Sequence, residues 1–462
     1  MRIWIEVRNF AKIEYARVCV NKYTVFVGPN NSGKTFLLQL IEGVNDSWKD
    51  LIDEKATKCL FLQRNEQLSI YEISEETLPK FVECVNDNIK RVSDDIIFST
   101  FGKQIEISEL KVDISLDKGE RYIIYNSDNN LVINELLGGK ENGINNWGED
   151  ANISVIKSRK INDATEKEKL VGVSASFSKD ENIWNHIRRA VSTILSDDSI
   201  FIPASRNGLM LLYREFFAHK TDSVMSYKFS GENISQQIQE SLNLTKYMYE
   251  FLKFLQLYKE DDGLVDINED VISFFDDKII NGEILIDQKN GMTYSSQGDN
   301  NHFPMYLTSA MVNEVVPFYL AMTSNRFYRR FVIDEIEASL HPQKQLEMVR
   351  FLNRLRNKNY QIILTTHSDT FVNRLNNLVI LSNYFMRTGD KTALERLNLE
   401  EFDLIDVSEL FVYEFVNGVN GKSIVEEKIC DPNLGYQFDL FTSAALEVYN
   451  EAFKVGEIIK DE

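Results

Sequence analysis

The feature that most constrains the fold is a glycine-rich loop between an apolar strand and an apolar helix. Residues 28–35 read GPNNSGKT and fit the pattern GxxxxGK[ST]. The preceding segment YTVFVG predicts a strand because β-branched and aromatic residues dominate it, and the following FLLQLIEGV predicts a helix. Strand, glycine loop and helix in this order are the context that a phosphate-binding loop requires.

Each residue type in this loop has a chemical reason. Glycines such as Gly33 let backbone N–H groups converge on phosphate oxygens, and the start of the helix adds a favourable dipole. Lys34 is expected to reach the β- and γ-phosphates, and the Thr35 hydroxyl is expected to bind Mg²⁺. The sequence therefore predicts a site for ATP and Mg²⁺, with nucleotide-binding residues Asn30, Asn31, Ser32, Gly33, Lys34 and Thr35.

Two later apolar strands also end in polar side chains. FVI (331–333) is followed by Asp334 and Glu335, and IILTT (362–366) is followed by His367. A predicted helix (342–358) separates them, so they form a parallel strand–helix–strand step whose tips share one sheet edge. We expect Asp334 to hold Mg²⁺, Glu335 to polarise the attacking water, and His367 to sense or stabilise the γ-phosphate.

Together these three motifs resemble the ABC-type ATPases. FVIDEIEASLHP (331–342) looks like their Walker B segment, with residues 339–342 as the D-loop, and TTHS (365–368) looks like their switch histidine. The opening strands and VFVGPNNSGKT are similar to the ATPase domain of the overcoming-lysogenization-defect (OLD) nucleases and their anti-phage relatives, among them the A subunits of Gabija, Septu and PARIS. FIPASRNGL (201–209) is also similar to a strand and loop of that branch.

The resemblance covers residues 1–45 and 199–385 and implies an α/β fold. That fold is an ABC-type P-loop core, a mixed sheet with flanking helices, with an inserted antiparallel β lobe and a helical insertion. The expected division is a core part with Walker A (1–58), a β-rich lobe with helices (59–198), a core strand (199–206), a helical insertion (207–282), a core part with the signature-like segment, Walker B and the histidine (283–385), and a mixed tail (386–462).

LTSAMVNE (307–314) stands where ABC-type ATPases carry their signature motif, but it lacks the glycine pair of LSGGQ. The resemblance implies that Ser309 binds the γ-phosphate of ATP held by a partner subunit. It therefore implies a homodimer or higher oligomer through the ATP sites.

An OLD nuclease carries a C-terminal Toprim domain, and this chain shows no glutamate followed downstream by a DxD strand end. Glu400, Asp403 and Asp406 lie together and are interpreted as a solvated face. The resemblance thus implies an ATPase that regulates a separate effector protein, a nuclease. A DNA-maintenance ATPase of the SMC or RecF kind, a transporter nucleotide-binding domain and a binding module with an inactive ATP site remain as alternatives.

Charge argues against a surface that wraps nucleic acid. The 51 Lys and Arg residues and 71 Asp and Glu residues leave a net charge of −20. Local basic runs at 186–189 and 326–330 keep a DNA contact open, although a solvated charged face is favoured, and Arg206 is equally a candidate for phosphate, a neighbouring subunit or surface acids. Four cysteines without a CxxC pair and no apolar run near 18 residues indicate a cytoplasmic chain without a membrane span.

Three finer predictions concern regions outside the motifs. Residues 60–175 are expected to alternate short strands, including DIIFSTF (95–101), with a helix near 76–92. NLVIL (377–381) is expected to be a further strand, and the tail from 383 a mixture of helices and loops. Gln63 and Gln67 are both candidates for a Q-loop, and the sequence does not choose between them.

Overall fold

The glycine loop leaves the centre of a nine-stranded mixed sheet. The computed structural model describes residues 1–65, 68–127, 152–161, 164–170, 183–213, 244–287, 291–299, 301–418, 421–438, 447 and 450–452. Its strands are β1 Arg2–Phe10, β2 Ile13–Cys19, β3 Tyr23–Val27, β4 Phe61–Asn65, β5 Leu68–Ile73, β6 Glu109–Ser115, β7 Glu120–Ser127, β8 Asn152–Ile161, β9 Ala164–Leu170, β10 Ser199–Ile202, β11 Gly282–Asp287, β12 Gly291–Ser296, β13 Phe303–Pro304, β14 Arg330–Ile333, β15 Gln361–Thr366, β16 Leu410–Asn417 and β17 Ser423–Lys428.

Helices cover both faces of this sheet. The α-helices are α1 Lys34–Leu51, α2 Glu54–Cys59, α3 Leu78–Phe101, α4 Ile183–Leu195, α5 Lys246–Leu257, α6 Asp262–Phe274, α7 Ala310–Thr323, α8 Pro342–Asn357, α9 Asp369–Thr388 and α10 Lys391–Arg396. A π-helical turn, Phe275–Ile280, continues α6, and residues 206–213 are also helical.

The nine strands follow the order β10-β14-β15-β3-β16-β17-β2-β1-β6. The first five are parallel to one another, whereas β2, β1 and β6 pair antiparallel. All five residues of β3 are buried, as expected for a strand covered on both faces. Alternate residues therefore enter two separate cores: Val25 packs with α6 to α9, and Phe26 packs with α1 to α4.

Two smaller antiparallel sheets accompany the main sheet. One has the order β4-β5-β7-β8-β9 and the other the order β11-β12-β13. The predicted α/β fold with a mixed sheet, flanking helices and a separate antiparallel lobe is thus observed. One strand in the predicted lobe, β6, lies in the main sheet beside β1. The domain boundaries themselves stay a prediction, and the predicted strands at 131–137 and 171–178 lie outside the described residues.

Two predicted strands are wrong because both segments are helical. DIIFSTF (95–101) forms the last turns of α3, where Ile96, Ile97, Thr100 and Phe101 are buried at helical spacing. NLVIL (377–381) lies inside α9, where Leu378 is buried. Short runs of apolar β-branched residues fit either structure, and here packing against a neighbouring core selects the helix.

The tail contains more of the sheet than the sequence predicted. Strand β16 pairs with β3 in parallel, and β17 pairs with β16 antiparallel. The mixture of helices and loops expected from residue 383 is therefore incomplete, because two of its segments complete the central sheet. The loop and the tail also touch directly: a Cβ added at Gly28 would lie 2.6 Å from the Cβ of Phe415.

Asp403 is buried, which corrects its interpretation as part of a solvated face. Its carboxylate accepts hydrogen bonds from Arg350 at 2.8 Å and Arg354 at 2.6 Å, both on α8. Burial alone would raise the pKa of Asp403, but the hydrogen bonds from these two arginines outweigh burial and lower that pKa below the usual 3.8. Glu400 and Asp406 are exposed, as predicted.

We expect Asp403→Asn to lower the free energy of unfolding by about 3 kcal/mol, because the substitution leaves two buried arginines without their anion. Since the folded-state pKa is depressed, the stabilisation is complete above the unfolded pKa near 3.8 and disappears as the pH falls through the lower folded-state pKa. Urea unfolding at pH 7 and along an acid series measures both effects. Asp406→Asn, at an exposed carboxylate, is the control and should change stability by less than about 0.5 kcal/mol.

Candidate functional site

Parallel pairing places three polar strand ends next to one another. In the sheet, β15 lies between β3 and β14, with Thr366 opposite Val27 and Leu364 opposite Ile333. The glycine loop follows β3, the acidic pair follows β14 and the histidine follows β15. The structure therefore brings together five predicted residues from three distant parts of the chain: Lys34, Thr35, Asp334, Glu335 and His367.

The glycine loop turns through two residues with left-handed backbone. Gly33 has φ 103° directly before α1, and Asn31 has φ 62°. Glycine adopts such a conformation without a steric penalty, and asparagine tolerates it better than most residues. Asn30 and Asn31 are exposed at the tip of the loop, whereas Ser32 is buried.

Lys34 lies inside the loop that it follows. Its Nζ donates to the carbonyl oxygens of Gly28 at 2.9 Å and Pro29 at 2.7 Å, and it lies 3.3 Å from Nδ1 of His367. Burial lowers the pKa of Lys34 from 10.5 to about 8, although the carboxylates of the acidic strand end oppose that shift. The ammonium is therefore poorly solvated and lacks a paired carboxylate, which suits it to an anionic ligand.

Thr35 and Asp334 present oxygen atoms to the same point. The Thr35 hydroxyl donates to the Asp334 carboxylate at 2.9 Å, and the Thr365 hydroxyl donates to the same carboxylate at 2.7 Å. Burial raises the pKa of Asp334, and these hydroxyl groups counteract that effect. Mg²⁺ prefers hard oxygen ligands and commonly binds one or two protein groups together with phosphates and water, so this pair fits the ion.

Glu335 and His367 form the second polar pair. Oε1 of Glu335 lies 3.4 Å from Nε2 of His367, and Nδ1 of the same ring contacts the Gly28 carbonyl oxygen at 2.8 Å. The contact with His367 is the main reason that the pKa of Glu335 lies below its usual 4.5. Glu335 is half-buried, so an ionised carboxylate faces the space beside the loop.

Ser309 lies elsewhere in its own chain. It precedes α7 as the N-cap residue, and its hydroxyl accepts a hydrogen bond from the Val312 N–H at 3.3 Å. Its side chain is exposed, and in the described residues it makes no hydrogen bond to the loop or to the acidic pair. The binding role expected for Ser309 stays a prediction.

Sequence reasoning missed two residues that support the site. Thr365 binds Asp334 and also accepts a hydrogen bond from the backbone N–H of Glu335 at 2.8 Å. Glu337 accepts a hydrogen bond from the backbone N–H of His367. The first was signalled by the two threonines that precede His367, whereas nothing in the sequence pattern distinguishes Glu337 from other acids.

The basic run at 326–330 is neutralised by acids of its own chain. Arg326 pairs with Asp198 at 3.2 Å. Arg330 is buried, donates to Asn45 at 2.6 Å and lies 3.5 Å from Glu42. These contacts agree with the favoured interpretation of a charged face rather than a DNA surface. In the run at 186–189, Ile187 is buried in α4, and Gln67 of the Q-loop candidates lies outside the described residues.

Comparisons with known proteins agree with this geometry. A sequence profile described as "AAA ATPase domain" (AAA_15) matches residues 1–372. No curated protein sequence matches the chain.

Solved structures that are similar to the chain include SMC head domains. The SMC head domain from Thermotoga maritima has 13% identity and a TM-score of 0.32, and the alignment covers 92% of this chain and 99% of that one. An SMC head bound to the C-terminal winged-helix domain of ScpA has 10% identity, a TM-score of 0.35 and coverages of 92% and 96%. The Pyrococcus furiosus SMC head with the C-terminal domain of ScpA has 11% identity, a TM-score of 0.33 and coverages of 97% and 98%.

Among the described residues, none of the helices has both the length and the hydropathy needed to span a bilayer.

We expect nucleotide affinity to fall as the pH rises through about 8, because Lys34 then loses the charge that attracts phosphate. The dissociation constant of a fluorescent ATP analogue, measured from pH 6.5 to 9.5, should increase by up to roughly tenfold per unit above the pKa. Lys34→Arg keeps its charge over this range and should show little dependence on pH. Parallel curves for the two proteins would contradict the assignment.

Proposed function

The chain belongs to the AAA ATPase domain family, and on that premise we propose that it is an ATP-hydrolysing subunit that regulates a separate effector in an anti-phage defence complex. The observation that carries the ATPase part is the convergence of Lys34, Thr35, Asp334, Glu335 and His367 at one sheet edge. The defence part rests on the resemblance of the motifs to the OLD-like branch of ABC-type ATPases.

In the proposed reaction, the loop binds the phosphates of ATP. Backbone N–H groups of the loop and the start of α1 attract the phosphate oxygens, and Lys34 exchanges its contacts with Gly28 and Pro29 for phosphate oxygens. Thr35 and Asp334 would hold Mg²⁺, which when bound neutralises phosphate charge. Charge transfer to the leaving group is thereby made easier at a site built for anions.

Glu335 orients the attacking water and accepts its proton at a carboxylate oxygen. Its lowered pKa keeps it ionised at neutral pH, as this role requires. His367 holds Glu335 from one side and contacts the loop through its other ring nitrogen. The histidine thus couples the position of the carboxylate to the position of the phosphate loop.

Glu335→Gln should lower the turnover of ATP by about 10²- to 10⁴-fold and leave nucleotide affinity nearly unchanged, because the amide is isosteric but cannot accept the proton. Phosphate release under steady-state conditions measures the effect. Glu401→Gln, at an exposed acid paired with Lys391, is the matched control and should retain full turnover. Unaltered turnover in Glu335→Gln would favour the binding-module alternative.

We further propose that two copies enclose ATP between the loop of one and Ser309 of the other. The segment before α7 supports a protein contact, because Tyr306 is 71% exposed and Leu307 is 63% exposed next to Ser309. A two-fold dimer of this kind would place the exposed N-terminus of α7 near the phosphates of the partner's nucleotide.

Complementation tests this dimer. Ser309→Asp should abolish turnover through charge repulsion with phosphate while it keeps the helix cap, and Ser309→Asn is the neutral capping control. An equimolar mixture of Ser309→Asp and Lys34→Ala should regain roughly a quarter of wild-type turnover, because half of the dimers then carry one intact composite site. Two inactive variants that stay inactive when mixed would refute a role for Ser309 in the partner's site.

The effector is proposed to be a nuclease on a separate chain. Affinity capture of tagged Glu335→Gln with Mg-ATP from cells that carry the native operon, followed by mass spectrometry, should recover a stoichiometric nuclease-like partner, and Lys34→Ala should not. Cleavage of DNA by the purified chain alone with divalent metal would contradict the proposal. Tight and steeply salt-dependent DNA binding by the chain alone would favour the DNA-maintenance alternative.

A further inference from the structure

Arg206 is a fully buried cation beside the acidic strand end. It follows β10, and its side chain is among the largest that are completely enclosed. The interpretations considered from sequence, in which it reaches phosphate, a neighbouring subunit or surface acids, are all excluded by this burial. Burial lowers the pKa of Arg206, although the surrounding acids counteract the shift. Such a charge requires a functional or structural reason, because its desolvation is costly.

The guanidinium group binds the backbone that carries the catalytic candidates. Nη1 donates to the carbonyl oxygen of Asp334 at 2.8 Å and to that of Pro203 at 3.2 Å. Nη2 donates to the carbonyl oxygen of Glu335 at 3.1 Å. One planar group with several fixed donors therefore holds two consecutive peptide groups of the acidic pair.

Glu335 needs this support because its backbone is strained. Its φ is 50°, a left-handed conformation that a non-glycine residue adopts at a cost of about 1 kcal/mol or more. Thr365 holds its N–H at 2.8 Å, and Arg206 holds its carbonyl oxygen from the other side. The two contacts together determine where the Glu335 side chain starts.

Glu314 fixes the guanidinium in turn. Its carboxylate lies 2.7 Å from Nε of Arg206, and its own carbonyl oxygen accepts from the same nitrogen at 3.0 Å. Glu314 is buried in α7, the helix that Ser309 caps. Arg206 thus joins the backbone of Glu335 to the helix that begins at Ser309.

We propose that Arg206 is a positioning residue for ATP hydrolysis, which holds Glu335 in its strained conformation and is itself oriented by Glu314. The inference rests on the proposed ATPase function and goes beyond it, since Arg206 touches neither nucleotide nor water. A residue that acts only through Glu335 should affect turnover and not nucleotide binding. Its effect should also vanish once the Glu335 carboxylate has been removed.

The test is a double-mutant cycle between Arg206→Lys and Glu335→Gln. Lysine keeps the charge but cannot hold both carbonyl oxygens, so we expect turnover to fall about 10- to 100-fold with the dissociation constant for ATP changed by less than about threefold. Arg206→Lys/Glu335→Gln should be no slower than Glu335→Gln alone, measured as single-turnover phosphate release. Arg330→Lys is the matched control, because Arg330 is equally buried but contacts Asn45 and Gln361 instead. It should lower the unfolding midpoint and leave turnover within about twofold.

Additive losses in the cycle, or full turnover in Arg206→Lys, would overturn the inference while Glu335→Gln still supports the ATPase. A wild-type chain that does not hydrolyse ATP would instead defeat both proposals. If Arg206→Lys does not fold, Glu314→Gln provides the same cycle, because it keeps the shape of the partner and removes its charge. It should also lower turnover and be non-additive with Glu335→Gln.

Discussion

The candidate site depends on the parallel pairing of β3, β14 and β15. Three segments separated by hundreds of residues end at one edge of the sheet because their ladders run in the same direction. A shift of β15 by one residue would turn Thr365 to the opposite face and remove the hydrogen bonds to Asp334 and to the Glu335 N–H. Register is enforced by burial, since alternate residues of these strands enter two different cores.

The buried polar groups around the site are held by a small number of strong contacts. Hydroxyl groups from Thr35 and Thr365 satisfy the Asp334 carboxylate, and Arg206 satisfies carbonyl oxygens that the turn after β14 leaves free. The cost of burying a cation near the sheet edge is offset by Glu314 at 2.7 Å. An arrangement of this kind is rigid, which is what orientation of a carboxylate for catalysis requires.

Predictions failed where local pattern and tertiary packing disagree. Residues 95–101 and 377–381 are apolar and rich in β-branched residues, so their composition fits a strand, but each continues a helix whose buried positions repeat every three to four residues. Strands β16 and β17 were missed because their sheet neighbours, β3 and β2, lie about four hundred residues away, near the other end of the chain. Asp403 looked like a surface acid because its partners, Arg350 and Arg354, are supplied by a different helix.

The sequence by itself determined the chemistry of the loop and the identity of the acidic pair. GPNNSGKT between a strand and a helix is a local signal, since the glycine conformations and the lysine that follow from it need no distant partner. Only the tertiary structure decided the enclosure of Arg206, the contact of Gly28 with Phe415, and the 3.5 Å approach of the Cys59 and Cys84 sulfur atoms. These features join residues far apart in the chain, and long-range packing leaves no mark in the local sequence pattern.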